Sequence, residues 1–221
     1  MIVTIDGPAG AGKSTVARRL AERLGFRFLD TGAMYRAVAL AGLRHGVEWR
    51  DGEQLAELAE RLDLRVEGGR VLLGGEDVTD AVRSSEVTAV TRFAADNPRV
   101  RRWLVELQRR AAESENIVTE GRDQGTVAFP EADCKFFLTA APEERARRRL
   151  RDLEARGETA TLAEVLAAQQ RRDAEDAERP FGALAPAQDA VVVCSDGMDV
   201  EHVVDLLESL VRRRQRERSG K

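Results

Sequence analysis

The chain is short of cysteine, histidine, tyrosine and lysine, and each shortage closes a route. Its two cysteines, Cys134 and Cys194, each sit inside an apolar run, and its two histidines, His45 and His202, stand apart. No Cys/His cluster has metal-ligand spacing, so structural zinc is not expected. No apolar run approaches the roughly 18 residues that a bilayer span needs. Met1 leads straight into a strand pattern, so neither a signal peptide nor a membrane anchor is expected, and the chain reads as a reduced cytoplasmic protein. An excess of one charge is also lacking: 35 Lys+Arg against 39 Asp+Glu leaves −4, which gives no bulk attraction to nucleic acid. Of the 35 cations only three are lysines, at positions 13, 135 and 221. Arguments from an arginine count therefore carry little weight, whereas Lys13 and the single tyrosine, Tyr35, carry more. What is present, 221 residues of which 43% are hydrophobic, suffices for one compact core.

Ile2-Val3-Thr4-Ile5 is a nearly continuous β-branched run, the pattern of a parallel strand covered on both faces. Glycines follow, then Val16, Ala17, Leu20, Ala21 and Leu24 at helical spacing, with Gly25 where a C-terminal cap belongs. Strand-like runs recur at 26–29, 116–119, 135–138 and 190–194, separated by helical patterns, which predicts a wound α/β sheet. Asn97-Pro98 starts a helix that buries Val100, Trp103, Leu104, Leu107 and Ala111 along one stripe. Two segments interrupt the alternation. Residues 64–78 read as three short strands joined by Gly68-Gly69 and Gly74-Gly75, a small antiparallel insert within 62–90. Residues 156–184 open on the capping box Thr161-x-x-Glu164 and hold almost no apolar stripe after Leu166, which predicts a mobile helical flap. The Arg-rich tail 212–221 reads as a solvated helix end. One domain, 1–221, carries both inserts.

Gly7-Pro8-Ala9-Gly10-Ala11-Gly12-Lys13-Ser14 matches G-x-x-x-x-G-K-[ST] between a predicted strand and a predicted helix, the context that makes the motif a P-loop. Its glycines let backbone N–H groups converge on phosphate oxygens, Lys13 reaches the β and γ phosphates, and the Ser14 hydroxyl can face Mg²⁺. The competing reading is a glycine-rich turn that only packs a helix on a sheet. No D-x-x-G or N-K-x-D of a GTPase is present, and the strand at 135–138 ends in Thr139 rather than the acid of a motor ATPase. A small P-loop domain with two inserts suits a kinase that closes over its acceptor and excludes water.

Three further motifs, Asp30-Thr31-Gly32-Ala33-Met34-Tyr35-Arg36, Glu120-Gly121-Arg122-Asp123-Gln124-Gly125-Thr126 and Arg172-Asp173-x-x-Asp176-x-x-Arg179, stand in register with the P-loop. Together they resemble the bacterial cytidylate kinases from about residue 2 to 210. The resemblance implies a five-stranded parallel sheet with a small antiparallel nucleoside-monophosphate-binding insert and a helical lid. It also implies that the loop from Gly7 to Thr15 binds ATP, and that Arg36 and Arg122 hold the CMP phosphate beside Thr31 and Tyr35. Asp123, Arg101 and Thr91 would contact the cytosine, Arg172 and Arg179 the phosphates, and Asp176 the ribose hydroxyls. Thr91 aligns with the family's serine once a residue is inserted in Ala95-Asp96-Asn97-Pro98; without it Arg92 takes the place. Glu120 stands where the family commonly has Asp, Gln124 where it has Ile or Met, and Glu175 where it has a further arginine.

The residues have readings of their own. Guanidinium forks at strand ends suit a phosphate monoester, though for either arginine alone a surface position is the plainer reading. Arg172, Asp176 and Arg179 are spaced i, i+4, i+7 and share a helix face, fitting solvated ion pairs or, beside a P-loop, charge-neutralising groups on a lid. The expected reaction is γ-phosphoryl transfer from MgATP to CMP or dCMP, with Lys13, Arg122, Arg172 and Arg179 as catalytic cations and no general base. The expected partners are these nucleotides, with no nucleic acid and no membrane, acting on a monomer. A P-loop kinase for UMP, AMP or shikimate is the alternative, and a non-catalytic nucleotide-binding regulator the second.

Overall fold

A computed structural model of the chain describes residues 1–155 and 157–220; Arg156, where the flap reading begins, and Lys221 lie outside. The sheet that carries the site has five strands: β1 (Ile2–Asp6), β2 (Arg27–Asp30), β6 (Ile117–Gly121), β7 (Cys134–Thr139) and β8 (Val191–Cys194). Their order is β2-β6-β1-β7-β8. β1 is central and pairs in parallel with β6, Ile5 opposite Glu120, and with β7, Ile5 opposite Phe136. Val3 and Ile5 are wholly buried, which is why that strand reads as a continuous apolar run.

Contacts divide the chain into two compact units, residues 1–26 with 116–220 and residues 27–115. In the first, α1 (Lys13–Leu24) buries Val16, Ala17, Leu20 and Ala21. Its end is set by Gly25, at φ 67, whose N–H reaches the last-turn carbonyls. α6 (Pro142–Glu154), α7 (Leu162–Ala177) and α8 (Val200–Ser219) complete this unit. α7 opens on the capping box, Thr161 and Glu164 each satisfying the other's backbone N–H. Where the sequence shows hardly any apolar stripe, α7 buries Gln169 and Asp176 beside a single Val165.

The second unit holds α2 (Thr31–Arg44), α3 (Gly52–Glu60), α4 (Ser85–Asp96) and α5 (Pro98–Ala111) around Met34, Leu55, Val71, Val82, Val87 and Leu104. Its three short strands, β3 (Leu64–Glu67), β4 (Arg70–Leu73) and β5 (Glu76–Asp77), form an antiparallel sheet. Gly68 and Gly69 both have positive φ, 56° and 78°, the geometry of a two-residue hairpin turn that favours glycine. Among the described residues no helix is long and apolar enough to cross a membrane.

Candidate active site

The loop from Gly7 to Ser14 joins β1 to α1, the place where an α/β sheet sets its ligands. A Cβ on Gly7, at φ 146, would lie 2.0 Å from the Leu138 carbonyl oxygen, so only glycine fits there. Gly12, at φ 87, is the N-cap of α1 with no side chain to cap it, leaving the first N–H groups of α1 directed into the loop. Pro8 and Ala11 are buried, while Ala9 is partly open and Gly10, Ser14 and Thr15 are exposed. Lys13 is buried and its Nζ donates to the Pro8 carbonyl at 2.9 Å. Burial brings its amine down to about pKa 7, helped by the positive charges of Arg122 and Arg172 and opposed by Glu120 and Asp6.

Two acids at strand ends frame this lysine. Glu120, on β6, accepts from the Ser14 hydroxyl at 2.9 Å. Asp6, at the end of β1, accepts from the backbone N–H groups of Gln124 (2.8 Å) and Gly125 (2.7 Å). Burial raises its carboxyl to about pKa 6, with Asp123 adding to the rise. The Thr119 hydroxyl donates to Gln124 Oε1 at 3.0 Å, so the polar residue in the family's usual Ile or Met place has a buried partner. Both interactions fix the turn that directly follows Arg122 and Asp123. Asp123 is itself buried, and its carbonyl accepts from Val127 and Ala128.

One carboxylate holds two arginines. Asp176 accepts from Arg122 Nε at 2.7 Å and from Arg179 Nη2 at 2.6 Å. Burial opposes its ionisation, and the guanidiniums of Arg122, Arg179 and Arg172 overcome that and hold its carboxyl below the ordinary range. Arg172 is exposed on α7. The first unit thus brings together the P-loop, Arg122, Asp123, Arg172, Asp176 and Arg179.

In the second unit α2 carries Thr31, buried in its first turn, with Tyr35 and Arg36. Arg36 donates to the Thr88 hydroxyl at 2.6 Å. Arg101 lies 5.4 Å from the Tyr35 ring centroid on α2 and donates to the Ala95 carbonyl on α4 at 2.9 Å, so it joins α5 to both. The Thr91 hydroxyl bonds back to the Val87 carbonyl at 2.7 Å. Arg92 is exposed, its guanidinium 4.8 Å from the Phe93 ring centroid.

Sequence reasoning names Glu120 only as a departure from the family's Asp and does not pair it with Ser14, although the β-branched run Ile117-Val118-Thr119 leads straight into it. Asp6 and Thr88 were missed as well. No spacing marks them, because their partners lie 118 and 52 residues away in the chain.

A glycine loop with a buried lysine at the end of the central strand of a parallel sheet, with Arg122 and Arg179 drawn to a carboxylate of the neighbouring helix α7, defines a P-loop kinase. Residues 3–213 match the family model described as cytidylate kinase. The cytidylate kinase of Rhodopirellula baltica is 52% identical over 212 residues, covering 96% of this chain and 93% of that protein. That of Geobacter sulfurreducens is 47% identical over 224 residues, covering 100% and 96%. Among solved structures, a gluconokinase from Sinorhizobium meliloti shares the fold with a TM-score of 0.52 at 16% identity, over 99% of this chain and 96% of that one. The chain belongs to the cytidylate kinase family and is a nucleoside monophosphate kinase. The alternatives of a different acceptor or of a non-catalytic regulator are not favoured.

Proposed function

We infer that the protein transfers the γ-phosphoryl group of ATP to CMP or dCMP, giving ADP and CDP or dCDP. Beside its family membership, one observation supports this most. Lys13 is buried, which depresses its pKa most, and the charges of Arg122 and Arg172 depress it further, so a desolvated cation faces additional like charge. Such crowding is costly in a protein alone and is offset when a polyanion binds. The nucleophile, a phosphate oxygen of CMP, is already ionised, so the residues need only align two polyanions and neutralise them.

In this reading the loop from Gly7 to Thr15 wraps the ATP phosphates and Lys13 meets the β and γ groups. Arg122, Arg172 and Arg179 neutralise the transferring group. Arg36 and Arg122 hold the CMP phosphate with Thr31 and Tyr35 nearby, Asp123, Arg101 and Thr91 read the cytosine, and Asp176 takes the ribose. Ser14 and Glu120 form a hydroxyl and carboxylate pair, the hard oxygen donors that suit Mg²⁺. When bound, that ion supplies further neutralisation of the phosphates. The segments 62–90 and 156–184 act as acceptor insert and lid of one kinase domain. Two free thiols, Cys134 and Cys194, support a reducing cytoplasmic setting, and we place the enzyme there as a monomer acting on free nucleotides.

The test is ADP release with CMP, dCMP, UMP and AMP as acceptors. CMP and dCMP should exceed UMP by roughly ten- to a hundredfold in kcat/KM, the range expected for losing one charge-assisted hydrogen bond in a buried site. Equal rates with UMP or AMP would overturn the cytidylate reading.

A further inference from the structure

Arg145, on α6, lies outside all four motifs, yet its side chain is among the most enclosed charges of the first unit, 6% exposed. Its guanidinium donates to acceptors from three elements. Nε reaches the Ala140 carbonyl at 3.1 Å, and Nη1 reaches the Ala9 carbonyl of the P-loop at 2.9 Å and Asp173 Oδ2 on α7 at 2.6 Å. One turn earlier on α7, Gln169 Nε2 donates to the Arg145 carbonyl at 3.3 Å. α6 and α7 both press on Gly10: a Cβ there would lie 2.7 Å from Gln169 Nε2 and 3.2 Å from both Cβ and the carbonyl oxygen of Arg145. Asp173 and Gln169 also each keep one buried oxygen, Oδ1 and Oε1, without a hydrogen-bond partner among the described residues. A buried pair left in that state is poor evidence of a device evolved for stability alone.

Asp173 directly follows Arg172 and lies three residues before Asp176 on the same helix. An α-helix is stiff over one turn, so whatever holds Asp173 sets where Arg172 and Asp176 stand. The other end of that tether is a P-loop carbonyl. We propose that Arg145 and Asp173 are positioning residues that fix α7 against the P-loop, so that Arg172, Asp176 and Arg179 are aligned by the loop that carries the donor phosphates. The proposal rests on the lid roles given above for Arg172 and Arg179. Misplacement of a charge-neutralising group by a fraction of an ångström is felt in the transition state more than in ground-state binding. The tether therefore acts on kcat.

The experiment uses the full chain, with kcat and the KM for ATP and CMP measured at a temperature well below the melting point of each variant. Asp173→Asn should lower kcat roughly ten- to a hundredfold while the KM for CMP moves less than about threefold. Asp173→Glu should recover part of that loss, and Arg145→Lys combined with Asp173→Asn should be no slower than the slower single variant, as for two ends of one contact. If Arg145→Lys does not fold, the Asn and Glu variants decide alone. A kcat within about twofold of wild type for Asp173→Asn, a loss confined to melting temperature, no recovery with Glu, or additive losses would each overturn the tether. Arg179→Ala is measured alongside. If it leaves kcat unchanged, the lid reading itself fails; if it lowers kcat while Asp173→Asn does not, only the tether fails.

Discussion

Two helices of similar length, α5 and α7, are buried for opposite reasons. α5 sets Val100, Leu104 and Val105 into the core of the second unit along an apolar stripe. α7 buries Gln169 and Asp176 with one valine, so its inner face is held by hydrogen bonds and ion pairs. An apolar stripe is satisfied once it leaves water and needs no partner of particular chemistry. A polar face is stable only with specific partners, and partners such as Arg122 and Arg179 are groups that phosphates also recruit. The stripe of α5 does bury two polar side chains, Arg101 beside Tyr35 and Gln108, but its apolar residues dominate. On α7 the buried polar side chains gather around the candidate site, whereas the stripe of α5 is mainly scaffold.

The contrast breaks most sharply at Lys13. Lys13→Ala should lower transfer by roughly a thousandfold, with melting temperature unchanged or raised because a desolvated cation has been removed. A protein that keeps transfer within a few-fold would make that lysine structural. Leu104→Ala, on the scaffold side, should cost about 3 kcal/mol of stability in a denaturant titration and leave the preference for CMP over UMP untouched. A change of preference without loss of stability would reverse the roles of the two helices.

Asp6 sharpens the comparison through pH. The folded carboxyl keeps its proton up to about pH 6, whereas the unfolded one releases it near its ordinary value of 3.8. Its contribution therefore favours the folded state below the lower value and is lost as pH rises between the two, by about 3 kcal/mol at most. The measurement is the slope of unfolding free energy between pH 4 and 6, which should become more positive in Asp6→Asn; an unchanged slope would mean the buried acid does not titrate there. The smallest effect is expected at Asp123. Asp123→Asn should lower CMP activity more than UMP activity and narrow their ratio by about tenfold, one lost charge-assisted hydrogen bond. A ratio that stays wide would move base reading to Arg101 and Thr91.

What could be read from the sequence follows the same divide. The P-loop, the Gly-Gly hairpins, the capping box at Thr161 and the stripe of α5 all have their causes within a few residues of one another, so spacing reveals them. Ser14 with Glu120, Asp6 with the turn after Asp123, and Arg145 with Ala9 and Asp173 join segments far apart in the chain. No local period encodes such pairs. Composition hid Arg145 further, because one arginine among 32 carries no signal until its burial is seen. The partners of the polar face of α7 were hidden for a related reason: its lack of apolar residues does not say which groups it meets, and these come from the turn after β6, from α6 and from the segment after Ala177.

Gly7 and Gly12 share a motif but would diverge in a library that randomises one codon at a time. At Gly7 the obstacle is main chain, the Leu138 carbonyl, held in place by the pairing of β7 with β8 opposite Val193. No rotamer or rearranged neighbour relieves it, so alanine should be as poorly represented among survivors as tryptophan. At Gly12 a Cβ would meet no protein atom, so what the fold itself opposes is the strained backbone, about 1 kcal/mol, which asparagine bears better than most, and any larger loss would come from the bound phosphates. The first glycine is thus dictated by the spacing of the sheet before any nucleotide arrives.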